Sequence, residues 1–151
     1  MIISFCGHAD FDKTKECEEK ILAYLEEKIC GEKVVFYLGG YGDFDALALD
    51  CCKKYKRNHA NVTIIFITPY ITEDYQKNRL KYLSNEYDGI IYPEIENKPL
   101  RFAITYRNRW MMERADVVIC GIYHTSGGAY KSYLHAKKRK KTVFNVTGVE
   151  L

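Results

Sequence analysis

The sequence predicts an α/β protein of the Rossmann-like, doubly wound type: a mainly parallel sheet of five or six strands with helices on both faces. Three observations lead there. Short apolar runs alternate with amphipathic stretches of helical period along the whole chain. The connections between them are short, as parallel crossover units require. Two glycine-rich turns, Gly39-Gly40-Tyr41-Gly42 and Ser126-Gly127-Gly128, each stand directly after a strand-like run and before a helix. That position is the carboxyl edge of a parallel sheet, where helix N-termini and bare glycine backbone offer N–H donors to a ligand.

Taken in order, Met1 to Cys6 reads as a buried strand that ends at Gly7-His8. The following helix carries Cys17, Ile21, Leu25 and Ile29 on one face and stops near Gly31. A second strand runs from Val34 to Leu38. Asp43 then stands as the N-cap of a helix whose Phe44, Leu47, Ala48, Cys51 and Tyr55 form an apolar stripe. Val62 to Thr68 is the third strand, closed by Pro69. A tyrosine-rich helical stretch from Glu73 to Leu83 leads to a short strand at Gly89 to Tyr92, and Pro93 and Pro99 bracket an extended loop. A helix from Leu100 to Arg114, a strand from Asp116 to Ile122, a helix from Gly128 to Lys138 and a strand from Thr142 to Val146 complete the order. In the first of these helices Leu100, Ile104, Met111 and Ala115 mark the inward stripe. Arg107 falls on its flank, where a guanidinium needs a partner: a phosphate or carboxylate in the cleft, an internal ion pair with Asp116 or Asp43, or open solvent.

Composition bounds the rest. At 151 residues, 47% hydrophobic and 28% charged, the chain is expected to form a single domain over residues 1–151 with a real core. The net charge of +3 is mild, and its cationic excess gathers in Lys137-Lys138-Arg139-Lys140-Lys141, where it complements a helix C-terminus. Nucleic acid is thereby an unfavoured partner. The six cysteines form no C-x-x-C pair, so no metal site is expected, and free cysteines suit a cytoplasmic protein. No apolar run approaches membrane-spanning length. Of the 13 tyrosines, Tyr41 and Tyr130 lie inside the glycine turns, where a ring can stack on a nucleobase. The others suit packing or a homodimer contact. His8 and Asp10 sit in the loop after the first strand, and His124 in the loop before Ser126. The acids Asp45 and Glu113 are read as facing solvent.

Gly39-Gly40-Tyr41-Gly42, the run Arg107-x-x-x-Met111-x-x-x-Ala115-Asp116 and Gly127-Gly128 together resemble the layout of the SLOG superfamily, which unites lonely-guy phosphoribohydrolases with DprA/Smf-type proteins. Phe5-Cys6-Gly7-His8 resembles the Thr-Gly-His opening of its YpsA-like branch. The resemblance implies a Rossmann-like domain that binds a nucleotide or nucleotide-derived molecule at these loops, and that ligand is the cofactor expected. The implied ligand residues are Gly7, His8, Asp10, Gly39, Gly40, Tyr41, Gly42, Asp43, Arg107, Thr125, Ser126, Gly127, Gly128 and Tyr130. Tyr133 and Leu134 stand where lonely-guy enzymes carry their glutamate pair, so the expectation is a binding or sensing role. The alternatives are an enzyme of the N-glycosidic bond, phosphoribohydrolase-like or deoxyribosyltransferase-like with Asp10 or Asp43 as its acid, and a DprA-like DNA-associated protein.

Overall fold

The computed structural model describes residues 1–83 and 85–151. Six strands form one sheet: β1 (Ile2–Gly7), β2 (Val34–Leu38), β3 (Val62–Ile67), β4 (Gly89–Ile91), β5 (Val117–Gly121) and β6 (Thr142–Asn145). They lie in the order β4-β3-β2-β1-β5-β6, every pair parallel. The chain winds outward from β1 to β4, then returns to start β5 on the other side of β1. The sheet is thus doubly wound, with its switch point between β1 and β5.

The helices are α1 (Lys15–Ile29), α2 (Gly42–Asn58), a composite α3, α4 (Ala103–Arg114) and α5 (Gly127–Lys138). In α3 a π-helical stretch, Gln76–Leu80, separates Glu73–Tyr75 from Lys81–Leu83. Thr14 caps α1 by accepting the Cys17 N–H at 3.1 Å, and the helix ends on Cys30 in the left-handed region at φ 52°.

Strand side chains alternate between two cores, as the two-residue period of a strand demands. Ile3, Phe5, Val117 and Ile119 pack with Ile21, Leu25, Phe44 and Leu47 of α1 and α2. Cys6, Val118 and Cys120 face the other way, onto Met111, Met112 and Ala136 of α4 and α5. Between them the buried Ser4 hydroxyl donates to the Met111 carbonyl at 2.9 Å, so the polar group on that strand is satisfied.

Two readings of the helices need correction. Asp43 does not cap α2. The cap position is Tyr41, with no capping side chain of its own; Asp45 reaches back instead, its Oδ2 accepting the Tyr41 N–H at 2.9 Å. The inward face of α4 is Ala103, Arg107, Met111 and Met112, while Leu100 and Ile104 are exposed. Leu100–Phe102 forms a 3₁₀ turn, whose three residues per turn shift the phase of any stripe extended back from the α-helix.

Candidate functional site

The site begins with two glycines. Gly7 of β1 pairs with Gly121 of β5, and a Cβ on either would strike the Phe44 ring, at 2.1 Å and 2.4 Å respectively. The pair leaves a slot that draws the first turn of α2 onto the switch point. There α2 is closed off by the β1 loop: the Asp43 N–H donates to the Ala9 carbonyl at 2.8 Å and the Phe44 N–H to the His8 carbonyl at 3.4 Å. Gly42, at φ 88°, fits against Ala9, whose Cα lies 2.5 Å from where a Cβ would stand. The Tyr41, Asp43 and Phe44 N–H groups at this helix end are thus committed to the fold.

The second turn is built differently. Gly127 has φ 89°, and neither it nor Gly128 has any atom within 4 Å of a notional Cβ. Ser126 takes the cap position of α5 without capping it, its hydroxyl lying 3.0 Å from His124 Nδ1 instead. Asn145 straps the preceding loop to β6: its Oδ1 accepts the Ile122 N–H at 3.0 Å and its Nδ2 donates to the Ile122 carbonyl at 2.8 Å. An open helix N-terminus on an anchored loop is the arrangement that receives anions.

Between the two turns lies a cavity of about 410 Å³. Arg107 forms its inner wall. Only 3% exposed, the guanidinium gives Nη1 to the Gly39 carbonyl at 3.0 Å and the Ile67 carbonyl at 2.8 Å, and Nε to Asn108 Oδ1 at 2.8 Å. It lies flat on Gly39, where a Cβ would come within 3.1 Å of its central carbon. Its partners are therefore strand-end carbonyls, with Asp45 as the nearby countercharge, and neither Asp116 nor Asp43. Burial lowers the Arg107 pKa and Asp45 works against that. Burial likewise pushes the Asp45 carboxyl up to about 6, opposed by the Tyr41 N–H and Arg107.

Opposite stand two imidazoles. His8, buried, stacks on His124 with ring centroids 3.6 Å apart and planes at 16°, and its Nε2 accepts the His124 N–H at 3.5 Å. Burial, and then the neighbouring His124, lower the His8 pKa, which keeps its ring neutral at physiological pH. Asp10 completes this side, its Oδ1 and carbonyl oxygen accepting the Tyr123 hydroxyl at 3.2 Å and 3.1 Å.

Of the residues singled out in the sequence, Gly7, His8, Asp10, Gly39, Tyr41, Arg107, Ser126, Gly127 and Gly128 line this cavity. The others lie elsewhere. Gly40 makes room for the Phe66 ring, Gly42 for Ala9, and exposed Asp43 lies 4.0 Å from Lys13. Thr125 is exposed in the loop, and Tyr130 stacks on Tyr133 with centroids 6.0 Å apart. Sequence reasoning misses Asp45, Asn108 and Ser132, all part of the wall. It assigns Asp45 to solvent; the position four residues after Tyr41, within reach of the first free N–H of α2, is the signal that points inward.

No protein-family model matches the chain, and no curated protein matches it in sequence. Solved structures do resemble it. DNA processing protein A from Helicobacter pylori, described for its single-stranded DNA binding mode, superposes with a TM-score of 0.63 at 18% identity, covering 96% of this chain and 64% of that one. DNA processing protein A (DprA) from Streptococcus pneumoniae gives 0.62 at 14% identity, over 95% and 49%. The structural-genomics target TM1055 gives 0.56 at 14% identity, over 94% and 71%. The chain thus spans 64% and 49% of the length of the two DNA processing proteins. With six parallel strands in this order and helices on both faces among the described residues, the chain shares the Rossmann-like fold of these solved structures.

Proposed function

We propose that this protein binds a nucleotide or nucleotide-derived small molecule in the cleft at the β1/β5 switch point. The observation that carries the reading is the coincidence, at one place, of the cavity and the uncapped N-terminus of α5. Ligands of open α/β sheets bind at the switch point, and about 410 Å³ is the size of a small-molecule site. The phosphate is assigned to Ser126 to Gly128, because the Asp43 and Phe44 N–H groups of α2 are already taken and Arg107 gives Nη1 and Nε to partners inside the protein. The base and sugar then lie toward Tyr41 and Asp45, where exposed Tyr41 offers a ring face and Asp45 a carboxyl for a hydroxyl or amino group.

A thermal-shift panel of nucleoside monophosphates, NAD, ADP-ribose and cyclic nucleotides tests it. A ligand at about 100 times its dissociation constant adds roughly 2.7 kcal/mol, a shift of several degrees at this size. Gly128→Asp is the matching variant. It sets a carboxylate where the phosphate would sit, in open space, and a first-turn acid favours the helix. The expected result is a selective shift in the wild type, and in the variant an undiminished melting temperature with no shift. A flat wild-type panel would sink the proposal.

Asp45 favours a second reading, an enzyme of the N-glycosidic bond, since a carboxyl raised to about 6 in a ligand cavity keeps a protonated fraction near neutral pH that can give its proton to a departing base. In that case the bound nucleotide releases free base on incubation and Asp45→Asn abolishes the release. No release from any bound nucleotide leaves the binding role alone.

A further inference from the structure

The cavity continues into a groove of about 320 Å³ between α4 and α5, and Ile104, Asn108, Gly128 and Ser132 belong to the walls of both. The cations along the groove are Arg109, Lys131 and Lys138, beside His135, with no carboxylate among its lining in the described residues. Among the described residues no acid pairs with Arg109, Lys131 or Lys138; the nearest acid at this end, Glu113, is taken by His135 and Arg139, each at 3.0 Å. A dipole argument explains Lys138 in the last turn of α5 and fails for Lys131, which stands near the positive end of the same helix. A cation held there is explained by an anion between the two.

We infer that this groove holds a second anionic group of the same ligand, which makes the ligand a nucleotide with at least two phosphoryl groups. The inference rests on the cleft reading and extends it. A phosphate on the Gly127 and Gly128 N–H groups lies at the shared wall. Lys131 is three residues further along α5, about 4.5 Å of helix rise, so its ammonium reaches the next phosphoryl group. Lys138, on the same face two turns on, and Arg109 across the groove close around the far end of the phosphate chain. The walls between these cations are Ile104, Thr105 and Leu134. Without an aromatic platform for successive bases, the groove suits a phosphate chain better than a nucleic-acid strand.

Calorimetric titration with adenosine and guanosine mono-, di- and triphosphates tests it, on the wild type and on Arg109→Ala/Lys131→Ala/Lys138→Ala. All three side chains are exposed, and an unchanged melting temperature confirms that the variant folds. The diphosphate of the preferred base is expected to bind about tenfold tighter than its monophosphate. In the triple variant its affinity is expected to fall to that of the monophosphate. Equal wild-type affinities for mono- and diphosphate, or a preference that survives the triple change, would overturn the inference while leaving the cleft reading standing. If no nucleoside phosphate binds, the cleft reading fails and this one with it. A thymidine oligonucleotide that binds more tightly than any diphosphate, with affinity falling steeply with salt, would overturn it in favour of a nucleic-acid strand.

Discussion

Arg107 is a buried charge whose side chain joins three parts of the molecule. An arginine with three hydrogen-bond partners inside the protein holds a geometry: it ties the ends of β2 and β3 to α4. Removing it leaves the Gly39 and Ile67 carbonyls without their donor and a hole behind them, and each buried unsatisfied group costs about 1–3 kcal/mol. Arg107→Ala should therefore lose about 3 kcal/mol, read as a melting temperature lower by roughly 9 °C. Arg107→Lys should fall between, because one ammonium cannot serve both carbonyls and Asn108 with the planar fork of a guanidinium. Differential scanning calorimetry decides; a wild-type midpoint in Arg107→Ala would show that the carbonyls do not depend on the side chain. The same geometry makes Arg107→Ala a poor probe of binding, since it moves both walls of the cavity at once.

At the scale of elements, glycines that look alike in sequence do opposite things. Gly7 and Gly121 exist so that the Phe44 ring can sit on β1 and β5, while Gly128 faces open space. Alanine at either strand position forces the ring out of its slot, an overpacking cost of about 1–3 kcal/mol or more. Gly128→Ala fills nothing and removes backbone freedom from a helix, which should stabilise by about 0.5–1 kcal/mol. Urea midpoints of the three variants should therefore move in opposite directions, and a destabilised Gly128→Ala would contradict the open geometry. The alternation of strands and helices was legible because the central strands β2 and β5 bury runs of apolar residues and α1 and α2 each bury a stripe, patterns that survive without tertiary knowledge. The ring that lies above a glycine was not, because Phe44 reaches Gly7 and Gly121 from sequence-distant positions. Arg107 was legible as an anomaly, its partners were not, since backbone carbonyls leave no mark in a sequence. Asp45 was misplaced because an acid in a first helical turn ordinarily faces water, and here it reaches back to the Tyr41 N–H of the β2 turn.

For the whole molecule, two groups in the cavity pull stability in opposite directions with pH. The Asp45 carboxyl has a folded pKa of about 6 against an ordinary value of 3.8, so below pH 4 it is protonated in both states and its shift costs nothing. As pH rises from about 4 to 6 the unfolded chain gives up this proton first, and stability falls by about 3 kcal/mol before levelling off. His8, with its folded pKa lowered from 6.5, acts with the reverse sign: its contribution is complete above pH 6.5 and is lost as the pH drops, when the unfolded chain takes up the proton more readily. The windows overlap, so the wild-type profile alone hides both. The difference between wild type and Asp45→Asn separates them. The attraction of Arg107 for the Asp45 carboxylate grows only as the carboxyl ionises and is already contained in its folded pKa, and His8 cancels to the extent that the two groups do not interact. Urea unfolding from pH 4 to 8 should show wild-type stability falling relative to the variant by about 3 kcal/mol between pH 4 and 7, with no further change above. Parallel profiles would mean that the carboxyl is solvated in the free protein, and would remove the proton on which an acid role for Asp45 depends.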